Sequence, residues 1–381
     1  MQPSQSTRTW DVVVVGAGPA GATAARVAAE DGATVLLVDR AEFPRYKTCG
    51  GGIIGVSRQH MHPLAEATIE RDLSTFGFLL RLGSLRLYKA DTPAVAMVNR
   101  ERFDQANVDA AVAAGATFQD KTLVRNVSES ADGTIVLDTA AGVLAARLVI
   151  GADGAGGRIG RYVGVDIERS DLGLEVELPM PANTKWRDAV LLDWGPGAGS
   201  YAWAFPKENT LTVGVIEEKG RGAATREYLD DWLARLELDR GTARHDSGHL
   251  TQYRKPHSPM RRGNVLLAGE TAGLLEPWTR EGISFALRSG EWAGEAAAAT
   301  CAGNPAALNA YVHQIEDELG AEIAAGHALR GVFEKRPGLV NYLISRTRIG
   351  SRFFERFCRG ETSLARPYRH KWLQAAVRWV Q

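Results

Sequence analysis

The chain has 381 residues, enough for two domains and too many for one small core. It is 45% apolar and 24% charged, which excludes the disordered, collagen-like and low-complexity classes. Lys plus Arg (45) equals Asp plus Glu (45), so bulk charge points to no nucleic acid. In chain order, residues 10–15 form a short apolar run ending at Gly16-Ala17-Gly18-Pro19-Ala20-Gly21, and a small-residue helical stretch follows until Gly32 stops it. A second apolar run, 34–38, ends in Asp39, eighteen residues after Gly21. This order predicts a βαβ dinucleotide unit. Gly16 allows a tight turn, Gly18 lets a pyrophosphate approach the backbone beside Ala20, and Gly21 lets helix and strand pack. The helix N-terminus favours phosphate, and Asp39, followed by Arg40, is placed for the adenosine ribose hydroxyls. NAD and FAD both fit this unit.

The next segment, Arg45-Tyr46-Lys47-Thr48-Cys49-Gly50-Gly51-Gly52, sets one thiol among glycines that let backbone approach a flat ring. Cys49 is there as a proton donor or as a shaping residue. Residues 98–104 (VNRERFD) open an Ala-rich helix that ends at Gly115, with Arg100 and Arg102 in its first turn. Residues 148–161 (LVIGADGAGGRIGR) read as a strand running into Gly151-Ala152-Asp153-Gly154. The glycine-rich stretch 195–200 joins two strand-like runs as a hairpin connection. In residues 201–207 (YAWAFPK), Tyr201, Trp203 and Phe205 alternate and share one strand face, while Ala202 and Ala204 leave the other shallow. The Pro206-Lys207 ending has no core-packing rationale. Residues 265–282 (VLLAGETAGLLEPWTREG) read as a buried strand, a turn at Gly269-Glu270, and a helix starting near Ile283 behind Gly282.

These segments resemble the flavoprotein hydroxylase and reductase superfamily. The Gly-Ala-Asp-Gly turn is similar to its second FAD fingerprint, with Gly157 where a Ser is usual. The 265–282 stretch is similar to its Gly-Asp motif, with Glu270 replacing Asp and Arg280 replacing Gly, which adds bulk and positive charge near the flavin edge. The Lys-x-Cys-Gly-Gly segment at 47–51 and the Tyr-x-Trp-x-Phe-Pro-Lys segment at 201–207 resemble the geranylgeranyl reductase family. The resemblance implies FAD held by Gly16, Gly18, Ala20, Gly21, Asp39, Arg40, Cys49, Gly50, Arg100, Asp153, Gly269, Glu270, Gly282 and Ile283. It implies a reacting space lined by Cys49, Tyr201, Trp203 and Phe205, and reduction of C=C bonds in an isoprenoid or related lipophilic substrate. A flavin monooxygenase shares all the FAD motifs and is the alternative; a flavin-bearing redox protein serving a quinone pool is a third reading. No second complete nicotinamide-binding unit follows, so reducing equivalents come from NAD(P)H bound transiently or from a redox protein.

The expected fold is α/β, a Rossmann-like FAD-binding domain (1–75, 98–162 and 260–300) interleaved with an α+β mixed-sheet substrate domain (76–97 and 163–259), then a helical C-terminal segment (301–381). Residues 326–381 carry twelve Lys or Arg against three Asp or Glu. In one candidate helix Arg348, Arg352, Arg356 and Arg359 form a stripe beside Ile349, Phe353 and Phe357, interrupted by Gly350. This suits either a helix lying on a membrane surface or a cap packed on the substrate domain. Cys49, Cys301 and Cys358 form no disulfide or metal pattern and suit a reducing, cytoplasmic compartment. The chain has no run of about 18 apolar residues, and its first nine residues lack an apolar core, so neither a membrane span nor a signal peptide is expected.

Overall fold

The computed structural model describes residues 8–181 and 187–380; most of the polar start of the chain lies outside them. Strand Thr9–Val15 is the axis of an eight-stranded sheet. It pairs in parallel with Gly142–Gly151 on one side and with Val35–Val38 on the other. Thr117–Gln119 and Val265–Leu267 continue the parallel set outward, and Val124–Glu129 and Ile135–Thr139 add an antiparallel flap. Helices cover this sheet, so Val12, Val13 and Val14 are fully buried and the strand reads as an unbroken apolar run. The strands that carry the four sequence motifs end side by side: Gly16, Asp39, Ala152 and Gly269 follow their C-terminal ends. Parallel α/β sheets place ligands at that edge.

A second, seven-stranded sheet runs in the order His245–Arg254, Ile167–Pro179, Thr210–Glu218, Tyr201–Pro206, Ala189–Trp194, Thr75–Leu80, Arg86–Lys89. It is antiparallel except where Ala189–Trp194 runs parallel to Thr75–Leu80. The glycine-rich 195–200 stretch is the expected hairpin connection. Period-two alternation splits this sheet cleanly. Ala202, Ala204, Val213 and Val215 pack under Tyr228, Leu229 and Trp232 of helix Gly222–Arg235, and the opposite face looks toward the first sheet. A small three-stranded sheet, Gly52–Ile53, Val95–Val98 and Ile69–Leu73, joins the two.

The C-terminal helices close the open end. In helix Arg348–Cys358, Phe354 meets Phe76 and Phe78 edge-on at 5.3 and 5.4 Å. Tyr88 donates to Glu355 from the sheet's edge strand (2.6 Å). This helix is a cap, and its pattern differs from the expected stripe. Phe357 is buried, Phe353 is half-buried, and Ile349 is 86% exposed. Arg348, Arg352 and Arg356 are exposed, whereas Arg359 turns back to Glu355 and Glu361. Gly350 does not interrupt the helix. It lies in the first turn, where Thr347 accepts its N–H, and a Cβ there would stand 2.1 Å from the Leu343 carbonyl oxygen. Among the described residues no helix is long and apolar enough to cross a membrane.

Candidate active site

Between the two sheets lies a cavity of about 740 Å³, well within the range of ligand clefts. Its floor is the edge of the parallel sheet. Gly16, Gly18 and Ala20 come from the first turn, and Asp39 and Arg40 from the end of the second strand. Gly16 (φ +103°) and Gly21 are required by the protein itself. A Cβ on Gly16 would sit 2.2 Å from the Ala152 oxygen, and one on Gly21 would sit 1.8 Å from the Gly16 oxygen. Gly18 differs: its nearest neighbour to such a Cβ is Arg45 Nη2 at 3.7 Å, so the room it leaves belongs to the cavity. Gly18 also caps helix Pro19–Glu30 without a side chain, leaving the helix's first amides free for an anion. Asp39 takes the Ala17 and Ala41 N–H groups, one on each carboxylate oxygen (2.7 and 2.8 Å), which fixes its rotamer at the cavity edge.

Arg100, at the start of helix Arg100–Ala113, is buried rather than spread on the surface. It forms two hydrogen bonds to Asp104 (2.9 and 3.0 Å) and lies against the Cys49 thiol. Arg45 also reaches Asp104 (3.1 Å). Asp153 accepts the Arg158 and Ile159 N–H groups through Oδ2 (2.6 and 3.2 Å), capping the next helix, and burial raises its pKa. A Cβ at Gly157 would stand 2.2 Å from Asp153 Oδ1, so a Ser here would displace the carboxylate from this rotamer.

Glu270 makes its contact through His249 Nε2 (3.1 Å). Burial alone would raise its pKa, but the His249 contact and the nearby Lys47 and Arg100 charges hold it below the usual range. Arg280 adopts φ +58°, the left-handed conformation that a Gly takes without cost. Its charge is not offered to the cavity as expected. The guanidinium is neutralised by Asp171 (3.0 Å) and donates to the Trp278 and Gly199 carbonyls. Gly282 precedes helix Ile283–Cys301, but one of its first amides, Ser284 N–H, is already taken by Glu281 (2.6 Å). Burial pushes Glu281 up to about 8.

The roof is the second sheet. Tyr201, Trp203 and Phe205 all face the cavity, with Val190, Leu192 and Trp194 from the next strand and Phe354 and Phe357 from the cap. Tyr201 is pinned by donation to the Thr279 carbonyl (2.6 Å). Lys207 has a packing rationale after all. It is 1% exposed, donates to Thr212, lies 3.9 Å from Glu177, and fills the space beside Gly51.

Of the sequence-predicted site residues, all line the cavity except Gly21 and Gly269, which shape its wall from behind. Sequence reading quoted Arg45, Tyr46 and Lys47 only as the flank of Cys49, with no role of their own, and passed over Glu175 and His249. Alternating polar residues His245, Ser247, His249 and Thr251 on one strand face were the available signal for the last of these.

The cavity fits FAD. Among the described residues, six buried polar atoms on its lining lack partners. Two stand at the nucleotide edge, Arg45 Nη1, a donor near Gly18, and Asp153 Oδ1, an acceptor; the other four, Glu175 Oε2, Trp194 Nε1, Trp203 Nε1 and Thr251 Oγ1, are on the second sheet. Together with the free amides after Gly18, the first two match phosphates and hydroxyls along one elongated ligand. The fold and site define an FAD-dependent oxidoreductase. Residues 9–317 match the family described as FAD binding domain, and the chain belongs to that family and, within it, to the geranylgeranyl reductase family. A digeranylgeranylglycerophospholipid reductase of Methanopyrus kandleri is 32% identical over 308 residues, covering 76% of this chain and 80% of its own. A menaquinone reductase of Mycolicibacterium smegmatis is 31% identical over 318 residues, covering 75% of each chain. A geranylgeranyl bacteriochlorophyll reductase-like structure from Thermoplasma acidophilum superposes with a TM-score of 0.76 at 20% identity, covering 89% of this chain and 92% of its own.

Proposed function

We propose that this enzyme saturates C=C bonds of an isoprenoid or related lipophilic substrate. One observation carries the reading: the wall opposite the FAD-binding edge is built from Tyr201, Trp203, Phe205, Trp194, Phe354 and Phe357, a surface with little to offer a polar substrate. Bound and reduced, FAD supplies a hydride. Gly16, Gly18, Arg45 and the following helix amides hold its phosphates, Asp39 its ribose, and Asp153 and Glu270 the chain between. Cys49 and Gly50 leave room for the ring, and the aromatic wall orients the alkene and excludes water. The nucleotide-binding pieces are 1–75, 98–162 and 260–300, the substrate-binding pieces 76–97 and 163–259, and 301–381 is a helical C-terminal segment whose first helices pack on the nucleotide-binding core and whose later ones cap the cavity. The electron donor is external, NAD(P)H or a redox protein. The exposed Ile349, Trp372 and Trp379, with the arginines around them, rest on a membrane surface from which the substrate is drawn.

Anaerobic reduced enzyme mixed with a prenyl alkene tests the reaction. The expected result is oxidised flavin and a product heavier by one H₂ per saturated bond; a product that gains oxygen, formed only in air, would mean a monooxygenase instead.

A further inference from the structure

Glu175 stands in the middle of strand Ile167–Pro179 on the cavity face and is 1% exposed. Its Oε1 accepts two hydrogen bonds, from the Tyr46 hydroxyl and the Cys49 N–H, both 3.1 Å. Its Oε2 is buried and has no partner. An ionised carboxylate with one empty oxygen in such a place is disfavoured, because nothing replaces the water it lost. The group therefore favours its neutral form. Lys207, the Cys49 amide and Tyr46 pull its pKa down, while burial and the neighbouring Glu177 push it up, and burial dominates, giving about 7. His249, on the adjacent strand, is engaged by Glu270 instead. A carboxyl poised near neutrality can both hold and release a proton.

Its position relative to the aromatic wall follows from register. Glu175 pairs with Gly214, and Gly214 pairs with Trp203. Gly214 carries no side chain because Trp203 lies over it: a Cβ would stand 2.2 Å from Cζ2 of the indole. The carboxyl thus sits one strand beyond the ring, on the same face. On its other side is a hydroxyl chain. The Tyr46 hydroxyl is 3.1 Å from Ser247 Oγ, which is 2.9 Å from Thr48 Oγ1, and all three residues are half-buried.

We propose that Glu175 is the acid that protonates the alkene during reduction, and that Tyr46, Ser247 and Thr48 return a proton to it from solvent. The inference rests on the reductase reading. FAD, when bound and reduced, would supply a hydride to one alkene carbon as the π bond opens. The pair left on the other carbon takes the proton of Glu175: a C–H bond forms, the O–H bond breaks, and its electrons stay on the carboxylate. The carboxylate then recovers a proton from water through the hydroxyl chain, and the sum is addition of one hydride and one proton.

The test uses flavin-loaded wild type, Glu175→Gln and Glu175→Asp, each pre-reduced with dithionite and mixed anaerobically with a prenyl alkene. Glu175→Gln should slow flavin reoxidation at least about a hundredfold while flavin binding and dithionite reduction are kept. Glu175→Asp should restore part of the rate. The wild-type rate should fall above about pH 7, and that limb should vanish in Glu175→Gln. Infrared difference spectra provide a readout independent of turnover: a carboxyl C=O band titrating near neutrality, shifted in D₂O and absent from Glu175→Gln. Wild-type rates in Glu175→Gln, or a band that titrates in the ordinary carboxylic range, would overturn the assignment. Failure of wild type itself to saturate the alkene would overturn the reductase reading, and the infrared band then reports on Glu175 alone.

Discussion

A Cβ on Gly50 would stand 2.7 Å from Cδ2 of Phe205. The Cys-Gly-Gly segment and the Tyr-x-Trp-x-Phe-Pro-Lys segment, about 150 residues apart, are thus two sides of one contact. Gly50→Ala should push Phe205 into the cavity and cost about 1–3 kcal/mol of stability. Turnover should fall more steeply than flavin content. Thermal unfolding, the flavin-to-protein ratio and kcat/KM on one preparation check this; unchanged turnover would show that the glycine merely fills a loop.

Gly16 and Gly18 should respond differently. Gly16→Ala meets the Ala152 carbonyl at φ +103° and should destabilise even flavin-free protein by about 1–3 kcal/mol. Gly18→Ala meets nothing closer than 3.7 Å and has an ordinary φ of −72°. Its flavin-free stability should stay within about 1 kcal/mol of wild type, while FAD affinity drops at least about tenfold. Equal effects in both properties would refute the view that Gly18 leaves its space to a ligand.

Asp171 is fully buried between Arg280 and Arg330, at 3.0 and 2.9 Å. Burial alone would raise its pKa, but the two guanidinium groups hold it below the usual carboxylate range. The stability this supplies is present above the unfolded-state pKa and is lost as pH falls through the folded one. Asp171→Ala, which leaves two buried cations, should cost about 3–5 kcal/mol near neutrality. The gap from wild type should narrow below about pH 4 in denaturant titrations across pH.

Glu175→Gln should move stability the other way. A folded-state pKa raised to about 7 brings no penalty below the unfolded value and a full one above the folded value. The variant should therefore be more stable than wild type by about 2–3 kcal/mol at pH 8, with the gain fading toward pH 4. A variant less stable at every pH would mean that the carboxylate is compensated by contacts beyond those described.

Membrane contact is best tested without truncation. Removing residues 326–381 takes away Arg330 from the Asp171 cluster and Phe354 from the sheet, so loss of binding would report unfolding. Trp372→Ser with Trp379→Ser changes two residues that are 69% and 89% exposed. Co-sedimentation with anionic vesicles should weaken about fivefold or more, with melting unchanged. Equal sedimentation of both proteins would leave the cap as the segment's role.

The nucleotide-binding edge was legible because its signals are local. Glycines, a strand and an acid within 40 residues report their own geometry, and the parallel pairing of the first two strands follows from the helical crossover between them. Glu175 was illegible because nothing near it in sequence explains it; its meaning comes from Tyr46, Cys49, Gly214 and Trp203, brought together only by sheet register. Lys207 misled for the same reason. Glu177 lies on another strand and Gly51 in a distant loop, so a buried ion pair looked like a residue without structural purpose. Arg280 was read as a charge added near the flavin, but its counter-ion sits 109 positions away.

The FAD-family match stops at residue 317, whereas Phe354, Phe357 and Cys358 close the cavity from beyond it. The wall that meets the guest is therefore shared between the matched stretch, which gives Trp194, Tyr201, Trp203 and Phe205, and the helices beyond it. Substitutions in the final helices would alter the length and contour of the molecule admitted without touching the strands that carry the nucleotide motifs.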